Sequence, residues 1–258
     1  MHSPNPPSFR TTRTIVAGMM MHGVVMGEEH APDAPTFVLV HGLGMSSNYM
    51  MPTANLLAES GRVLAPDLPG FGKSEKPRNP LTIPALADAL AEWMEAHQPT
   101  RPVTLIGNSL GAQVIIDFSV RYPHRVDRAV LVGPTIDPQA RKVWIHVFRL
   151  ILDIIREPVA LYWIGLKDYL RAGFSRVLQT FRYALEDPVV EKLRLMQVPV
   201  LIVRGGFDPI VTELWVEHAA SLVPNGFLVT IPNAAHAVNF SAPESLVAEV
   251  VKFGKLCQ

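Results

Sequence analysis

The fold is decided by the stretch Val103-Thr104-Leu105-Ile106-Gly107-Asn108-Ser109-Leu110-Gly111. Its first four residues form a short, largely apolar and β-branched run, which is typical of a strand covered on both faces. Helical spacing of apolar residues begins at about Leu110 and continues to about Tyr122. The stretch therefore predicts a buried strand that turns sharply into a helix at Ser109.

Outward from this stretch, strand patterns alternate with helix patterns along the chain. Such alternation predicts an α/β fold, with a mostly parallel eight-stranded sheet and helices on both of its faces. Ligands of such folds gather at the carboxyl ends of the strands. The further strands are expected at Arg13–Ala17, Met20–Met26, Phe37–Val40, Val63–Ala65, Ala129–Val132, Val200–Val203 and Phe227–Ile231, and the further helices at Tyr49–Glu59, Ile83–His97, Leu214–Leu222 and Pro243–Leu256.

The alternation is interrupted once, after Gly133. From residue 137 to residue 187, apolar and aromatic residues dominate and the turn residues expected between strands are lacking. We therefore predict a helical insertion over 137–187, within a core formed by residues 1–136 and 188–258.

Composition narrows the classes of function. The formal net charge is zero, with 23 basic and 23 acidic residues, so no charged surface for nucleic acid is indicated. The single cysteine, Cys257, excludes an internal disulfide and a cysteine-based metal site, and we expect no metal and no organic cofactor. Residues 1–12 lack the apolar core of a secretory signal, and charges interrupt Val143–Leu166, so we expect a cytoplasmic protein without a membrane span.

Ser109 lies in the pattern Gly-x-Ser-x-Gly, between a predicted strand and a predicted helix. This is the context of the nucleophile elbow, in which a sharp turn exposes the serine hydroxyl. Because a serine hydroxyl is a weak nucleophile at neutral pH, it needs a base and a group that orients the base. We expect both downstream.

His236 and Asp208 are the candidates for base and acid. Each lies in a loop after a predicted strand, and the chain order Ser109, Asp208, His236 is the order of this hydrolase architecture. His41 competes as the base, but its position before Gly42 favours a loop-shaping role. Asp137, beyond the strand Ala129–Val132, is an alternative acid.

The chain resembles the α/β-hydrolase superfamily over nearly its whole length. The loop His41-Gly42-Leu43-Gly44 is similar to the family's His-Gly-x loop, and this resemblance implies that the backbone N–H groups of Leu43 and Leu110 form the oxyanion hole. Residues 67–74 resemble the Asp-x-x-Gly-x-Gly-x-Ser loop, in which Asp67 and Ser74 are structural. A serine at position 109 argues against epoxide hydrolases and haloalkane dehalogenases, which use aspartate there.

The resemblance also implies that the insertion 137–187 forms a helical cap over the serine. Pockets for small molecules are mainly apolar, so part of the cap's apolar surface is expected to bind substrate. We predict hydrolysis of hydrophobic carboxylic esters, as in carboxylesterases. The candidate pocket residues are Trp144, Phe148, Trp163 and Val238.

Two other functions stay open at this point. The Gly-Asn-Ser-Leu-Gly elbow is similar to that of carbon–carbon hydrolases of ring-fission products, in which Asn108 and a cap arginine, Arg171 or Arg182, would act on an activated ketone. However, Ala237 follows His236 here, where those enzymes commonly have tryptophan. The other possibility is a ligand-binding protein without turnover, since a fold does not establish a reaction. The sequence does not predict the oligomeric state.

Overall fold

A computed structural model describes residues 9–138 and 143–257, with the side chains of 143–147 and 151 excepted. Within these residues, eight strands form one sheet in the order β1-β2-β4-β3-β5-β6-β7-β8. Strand β2 pairs antiparallel with β1 and with β4, and the other neighbouring strands are parallel. The strands are β1 Phe9–Val16, β2 Met19–Met26, β3 Thr36–Val40, β4 Arg62–Pro66, β5 Val103–Asn108, β6 Val126–Val132, β7 Val200–Gly205 and β8 Gly226–Ile231.

Helices cover both faces of this sheet. Leu86 of α2 and Ile115 of α3 belong to the apolar core on one face, whereas Leu57 of α1 and Phe253 of α10 belong to the core on the other. The helices are α1 Met51–Leu57, α2 Ile83–Ala96, α3 Leu110–Arg121, α4 Val143–Ile154, α5 Val159–Ala172, α6 Phe174–Glu186, α7 Val189–Leu195, α8 Glu213–Leu222, α9 Val238–Ser241 and α10 Pro243–Leu256, with 3-10 turns at Ser47–Met50 and Pro123–Arg125.

The predicted α/β architecture is confirmed, with differences at the element ends. Strand β1 begins at Phe9, four residues earlier than its apolar pattern indicates, because the exposed residues at its start still pair with β2. The helix predicted over Tyr49–Glu59 is shorter, since its first turn is the 3-10 turn Ser47–Met50. The range 137–187, predicted as an insertion, contains α4, α5 and α6. We call these three helices and the turns between them the helical insertion.

The turn between β5 and α3 depends on close backbone packing. A Cβ atom at Gly107 would lie 2.6 Å from the carbonyl carbon of Gly111, and one at Gly111 would lie 2.2 Å from the carbonyl oxygen of Val40. Only glycine therefore lets α3 start directly beneath the ends of β3 and β5. Between the two glycines, Ser109 has φ 55° and ψ −117°, a strained conformation for a residue with a side chain.

Over the ranges 9–138 and 143–257, no helix is both long enough and apolar enough to cross a bilayer.

The glycine packing gives a stability prediction. Gly111→Ala should lower the free energy of unfolding by about 1–3 kcal/mol, because the added methyl group overlaps the Val40 carbonyl oxygen. Gly165→Ala in α5 is the matched control. Its Cβ would meet only the sulfur of Met45, at 3.9 Å, and alanine is the better helix former by roughly 0.5–1 kcal/mol. Urea titrations should therefore move the two midpoints in opposite directions, and equal midpoints would contradict the packing argument.

Candidate active site

Ser109 lies at the carboxyl edge of the sheet, where β5 ends and α3 begins. Its N–H donates a hydrogen bond to the carbonyl of Val132 at the end of β6 (2.9 Å), and its side chain is half-buried. The loop after β3 adjoins it, since a Cβ atom at Gly42 would be 3.5 Å from the Cβ of Ser109. The positive end of the α3 dipole therefore lies directly behind a partly accessible hydroxyl.

The structure brings His236 and Asp208 into direct contact. Nδ1 of His236 lies 2.8 Å from Oδ2 of Asp208, whose side chain is fully buried. The other carboxylate oxygen of Asp208 accepts hydrogen bonds from the N–H groups of Ile210 (2.7 Å) and Val211 (3.0 Å). Because both oxygens of Asp208 are engaged, its carboxylate has a fixed orientation. A carboxylate only accepts hydrogen bonds, so Nδ1 of His236 carries the proton and donates to Asp208.

Two further contacts hold His236 in place. The backbone carbonyl of His236 accepts a hydrogen bond from Nδ2 of Asn108 (3.1 Å), the residue before Ser109. Gly133, at φ 52°, packs against the ring, since a Cβ there would lie 2.8 Å from Cε1. Within the described parts of the chain, the buried Nε2 of His236 has no hydrogen-bond partner. This nitrogen is therefore the one available for proton transfer.

The environment of His236 favours its protonated form. Burial alone would lower the pKa of the imidazole, but the charge and hydrogen bond of Asp208, with the charges of Asp153 and Glu157, raise it to about 9. The raised pKa also links His236 to stability. Its contribution is fully present below the unfolded-state pKa of about 6.5 and is lost as pH rises through about 9.

The loop after β3 is shaped by His41, which is fully buried. Nε2 of His41 accepts a hydrogen bond from the N–H of Leu68 (2.9 Å), so Nδ1 carries the proton and donates to the carbonyl of Gly42 (2.8 Å). Burial lowers the pKa of His41, in keeping with a neutral ring. His41 therefore links the loop after β3 to the loop after β4, and both of its ring nitrogens are engaged, while Leu43 is half-buried.

Asp67 and Ser74 stabilise the loops behind the site. The Asp67 carboxylate accepts hydrogen bonds from the N–H groups of Ser47 (2.6 Å) and Lys73 (2.7 Å) and contacts Nδ1 of His22 (3.0 Å). Burial alone would raise the pKa of Asp67, but these hydrogen bonds lower it to about 2. The Ser74 hydroxyl donates to the Asp67 carbonyl (2.6 Å). Both residues have structural contacts, as the resemblance implies.

Four charged residues of the helical insertion contact the His236 and Asp208 loops, and sequence reasoning did not find them. Asp153 accepts a hydrogen bond from the N–H of His236 (3.1 Å), and Glu157 accepts one from the N–H of Ala237 (2.6 Å). Arg149 donates to the carbonyl of Ile210 (3.1 Å), and Arg156 donates to that of Phe207 (2.7 Å). In the sequence, these charges served only as arguments against a membrane span. The available indication was their spacing at intervals of three and four residues along an apolar helix.

The structure gives the exposure of three of the four pocket candidates. Phe148 and Trp163 are 57% and 70% exposed, and their place in a substrate pocket stays a prediction. Val238 is fully buried in the core and offers no accessible surface. The side chain of Trp144 lies outside the described residues. An amphipathic pattern identifies the faces of a helix but does not show which face points to the serine.

The residues considered for a carbon–carbon hydrolase are placed differently from that hypothesis. Asn108 is buried, and its amide is used by Tyr49, Val132 and the backbone of His236. Arg171 and Arg182 are both exposed on the insertion. Asn108 therefore positions other groups.

The alternative acid, Asp137, is half-buried beyond the end of β6. The carboxylate bonded to Nδ1 of His236 is that of Asp208.

The carboxyl edge of the sheet thus combines a hydroxyl, an imidazole and a buried carboxylate. These are the components of acyl transfer through a serine. Within 9–138 and 143–257, no group of three or more His, Cys, Asp or Glu side chains is arranged to hold a metal ion.

Comparison with known sequences gives a family and several relatives. The profile of the alpha/beta hydrolase family matches residues 37–250. The chain is 27% identical to a putative carbamate hydrolase, RutD, of Caulobacter sp. strain K31, over 91% of this chain and 98% of that protein. It is 26% identical to a pimeloyl-[acyl-carrier protein] methyl ester esterase of Aromatoleum aromaticum, over 84% of this chain and 98% of the esterase.

A further relative matches over a shorter region. An uncharacterized protein of Mycobacterium bovis is 35% identical over 113 residues, which are 44% of this chain and 33% of that protein. The alignment thus spans about a third of the length of this relative.

Solved structures share the fold. The enol-lactonase of Burkholderia xenovorans LB400 superposes with a TM-score of 0.81 at 22% identity, over 95% of this chain and all of the lactonase. The 2-hydroxy-6-oxo-6-phenylhexa-2,4-dienoate hydrolase of Rhodococcus sp. strain RHA1 gives a TM-score of 0.76 at 20% identity, over 96% of this chain and 99% of that enzyme. At these identities the likeness concerns the fold alone.

The contact between Asp208 and His236 can be tested without a substrate. In Asp208→Asn, the charge that most raises the pKa of His236 is lost, so the imidazole should titrate at a clearly lower pH. Asp137→Asn, the control for the alternative acid, should shift it less. Proton NMR of the imidazole Cε1–H, assigned with His236→Gln, measures both midpoints. A larger shift in Asp137→Asn would show that the wrong acid was chosen.

Proposed function

Because the chain belongs to the alpha/beta hydrolase family, we propose that it is a serine hydrolase that cleaves carboxylic esters of hydrophobic small molecules through an acyl-serine intermediate. One observation carries this proposal. Nδ1 of His236 is bonded to the buried Asp208 (2.8 Å) at the carboxyl edge of the sheet, the edge at which Ser109 is held in its strained turn. The methyl ester esterase among the relatives supports the ester class, and the putative carbamate hydrolase supports hydrolysis more generally.

Acylation begins with the serine hydroxyl. Nε2 of His236 takes the proton of Ser109 as the serine oxygen attacks the ester carbonyl, and a tetrahedral oxyanion forms. The imidazolium then gives its proton to the departing alcohol oxygen as the carbonyl–oxygen bond breaks, leaving an acyl-serine. Nε2 of His236 has no hydrogen-bond partner among the described residues, and hydrogen bonds of this catalytic kind commonly tighten only when substrate binds.

Deacylation repeats these steps with water. His236 takes a proton from water as the hydroxide attacks the acyl carbon, and it returns the proton to the serine oxygen as the acid leaves. Asp208 accepts the hydrogen bond from Nδ1 of His236 and thereby fixes the tautomer of His236. Because the base must be neutral and its pKa is raised to about 9, kcat/KM should increase with pH up to that region.

The oxyanion is stabilised by two backbone N–H groups, those of Leu43 and Leu110. Leu110 is the first residue of α3, so its N–H belongs to the turn that has no intrahelical acceptors. Leu43 follows Gly42, which adjoins Ser109, in a loop shaped by His41. Loss of one such donor typically reduces turnover on the order of 10²–10³-fold.

We assign the insertion 137–187 as a cap over this site. Its contacts support the assignment, because Asp168 accepts a hydrogen bond from the Ser46 hydroxyl (2.6 Å) in the loop after β3, and Tyr169 packs against Gly44 of that loop. With the contacts of Asp153 and Glu157 to the His236 loop, the insertion touches the site from two sides. Such a cover excludes water and favours apolar substrate groups.

The nucleophile is tested by substitution. Ser109→Ala should lower the hydrolysis of a nitrophenyl ester by about 10⁴-fold or more, because the covalent step is removed while the fold stays intact. Ser175→Ala, on an exposed position of α6, is the control and should retain wild-type turnover. Rates are measured with folding verified by circular dichroism, and near-normal activity of Ser109→Ala would overturn the assignment.

The substrate class is tested with a panel. If the site takes hydrophobic acyl groups, kcat/KM for nitrophenyl hexanoate should exceed that for the acetate ester several-fold. A ring-fission dienoate, assayed beside the esters, tests carbon–carbon hydrolysis. Faster cleavage of the dienoate would reverse the proposed order, and absence of turnover on every substrate would favour a binding function.

A further inference from the structure

The helical insertion forms hydrogen bonds with both loops that carry the proposed base and acid. Asp153 and Glu157 accept hydrogen bonds from consecutive N–H groups, those of His236 (3.1 Å) and Ala237 (2.6 Å). The two carboxylates lie four residues apart, at the end of α4 and in the turn after it. The carbonyl of Asp153 accepts the N–H groups of Arg156 (2.8 Å) and Glu157 (3.1 Å), and this turn directs Glu157 at the loop.

The same segment holds the loop of the acid through charges of opposite sign. Arg149 donates to the carbonyl of Ile210 and Arg156 to that of Phe207, on either side of Asp208. Acidic side chains thus bind N–H groups of one loop, and basic side chains bind carbonyls of the other. Hydrogen bonds to charged groups are roughly twice as strong as neutral ones, so this segment fixes both loops relative to each other.

Both carboxylates are buried, although nothing in their backbone contacts requires a charge. Asp153 is 6% exposed and Glu157 is 7% exposed. Among the described residues, Oε2 of Glu157 is buried without a hydrogen-bond partner. A neutral acceptor, such as an amide, would satisfy the Ala237 N–H at a lower desolvation cost. Two buried carboxyl groups at this place therefore indicate a role beyond accepting hydrogen bonds.

We propose that Asp153 and Glu157 are positioning residues of the hydrolase, which hold the backbone of the His236 loop and stabilise the imidazolium that forms during proton transfer. This inference rests on the proposed function, since it assigns His236 as the base. It adds a second and a third carboxylate, both from the insertion, to the one that Asp208 supplies.

The charges around Glu157 explain why it responds to pH. Burial raises the pKa of Glu157 most, the hydrogen bond from Ala237 and the charge of His236 lower it, and the charges of Asp153 and Asp208 raise it. The net pKa is about 7. Tyr49, from the 3-10 turn before α1, also faces Glu157, and burial raises the pKa of its hydroxyl, so it stays neutral.

Asp153 and His236 complete the group. Burial raises the pKa of Asp153, while the charge of His236 and the hydrogen bond from its N–H lower it; Asp208 raises it and Arg156 lowers it. Asp208 raises the pKa of His236 most, and the charges of Asp153 and Glu157 raise it as well. Ionised Glu157 therefore favours the imidazolium, and a protonated Glu157 leaves His236 easier to deprotonate.

The decisive variant is Glu157→Gln. Its amide oxygen still accepts the Ala237 N–H, but the charge is gone, so the acid limb of the kcat/KM profile should move to lower pH by on the order of one unit. Asp153→Asn should move it in the same direction. Glu157→Ala also loses the acceptor for the Ala237 N–H. Because the histidine is then misplaced, this variant should in addition lower kcat, on the order of 10–100-fold. The control is Glu186→Gln, which removes an exposed carboxylate of α6 and should leave the profile in place.

Stability gives a second readout of the same charge. The folded-state pKa of Glu157, about 7, exceeds its ordinary value of 4.5, so its contribution is present below about pH 4.5 and is lost as pH rises through about 7. Glu157→Gln should therefore lose less free energy of unfolding than the wild type between pH 5 and pH 9. Urea denaturation at both pH values measures the difference and shows whether each variant folds.

The titration of His236, followed by NMR, separates this inference from the proposed function. A lower midpoint in Glu157→Gln and Asp153→Asn supports the positioning role even if no ester is turned over, in which case only the proposed function fails. Unchanged midpoints and an unchanged profile in both folded variants would overturn the inference while leaving ester hydrolysis intact.

Discussion

The site depends on the contact between two backbones at Gly107 and Gly111. Because these residues have no side chains, α3 starts directly against the ends of β3 and β5, with a separation that a Cβ at Gly111 would close to 2.2 Å from the Val40 carbonyl. Ser109 is thereby forced to φ 55° and its hydroxyl stands clear of the sheet. The neighbouring strands deliver the other groups, since β7 and β8 run parallel to β5 and end at the same edge.

Around His236, burial and charge act against each other. Removal from water disfavours the imidazolium, yet Asp208, Asp153 and Glu157 together outweigh that effect. Burial also disfavours the charged form of the insertion carboxylates, and the pKa of Glu157 is raised to about 7. The centre is therefore a coupled set of titrating groups, and the ionisation of each member depends on the charge of the others.

The mostly parallel sheet and the sharp turn at Ser109 could be predicted from the sequence, because apolar runs and glycine spacing are local properties. Asp208 and His236 could be predicted from chain order, and the structure brings them together. The loops of β7 and β8 follow strands, and parallel strands end at a common edge. Asp153 and Glu157 could not be assigned in this way, since their partners are backbone N–H groups 83 and 80 residues away. The role of Trp163 stays a prediction for a related reason: α5 presents several apolar side chains to solvent, and the sequence pattern alone does not distinguish that face from a pocket.

The contacts of α4 have a consequence for protein engineering. An inserted helical segment is an attractive unit for exchange between related chains, because its replacement leaves the sheet intact. Here the helical insertion also supplies the groups that hydrogen-bond the loops of His236 and Asp208. A chimaera with a foreign insertion must therefore keep the charged segment from Arg149 to Glu157, or replace its four backbone contacts by others. Directed evolution that diversifies α5 and α6 while leaving this segment untouched offers the safer route to new specificity.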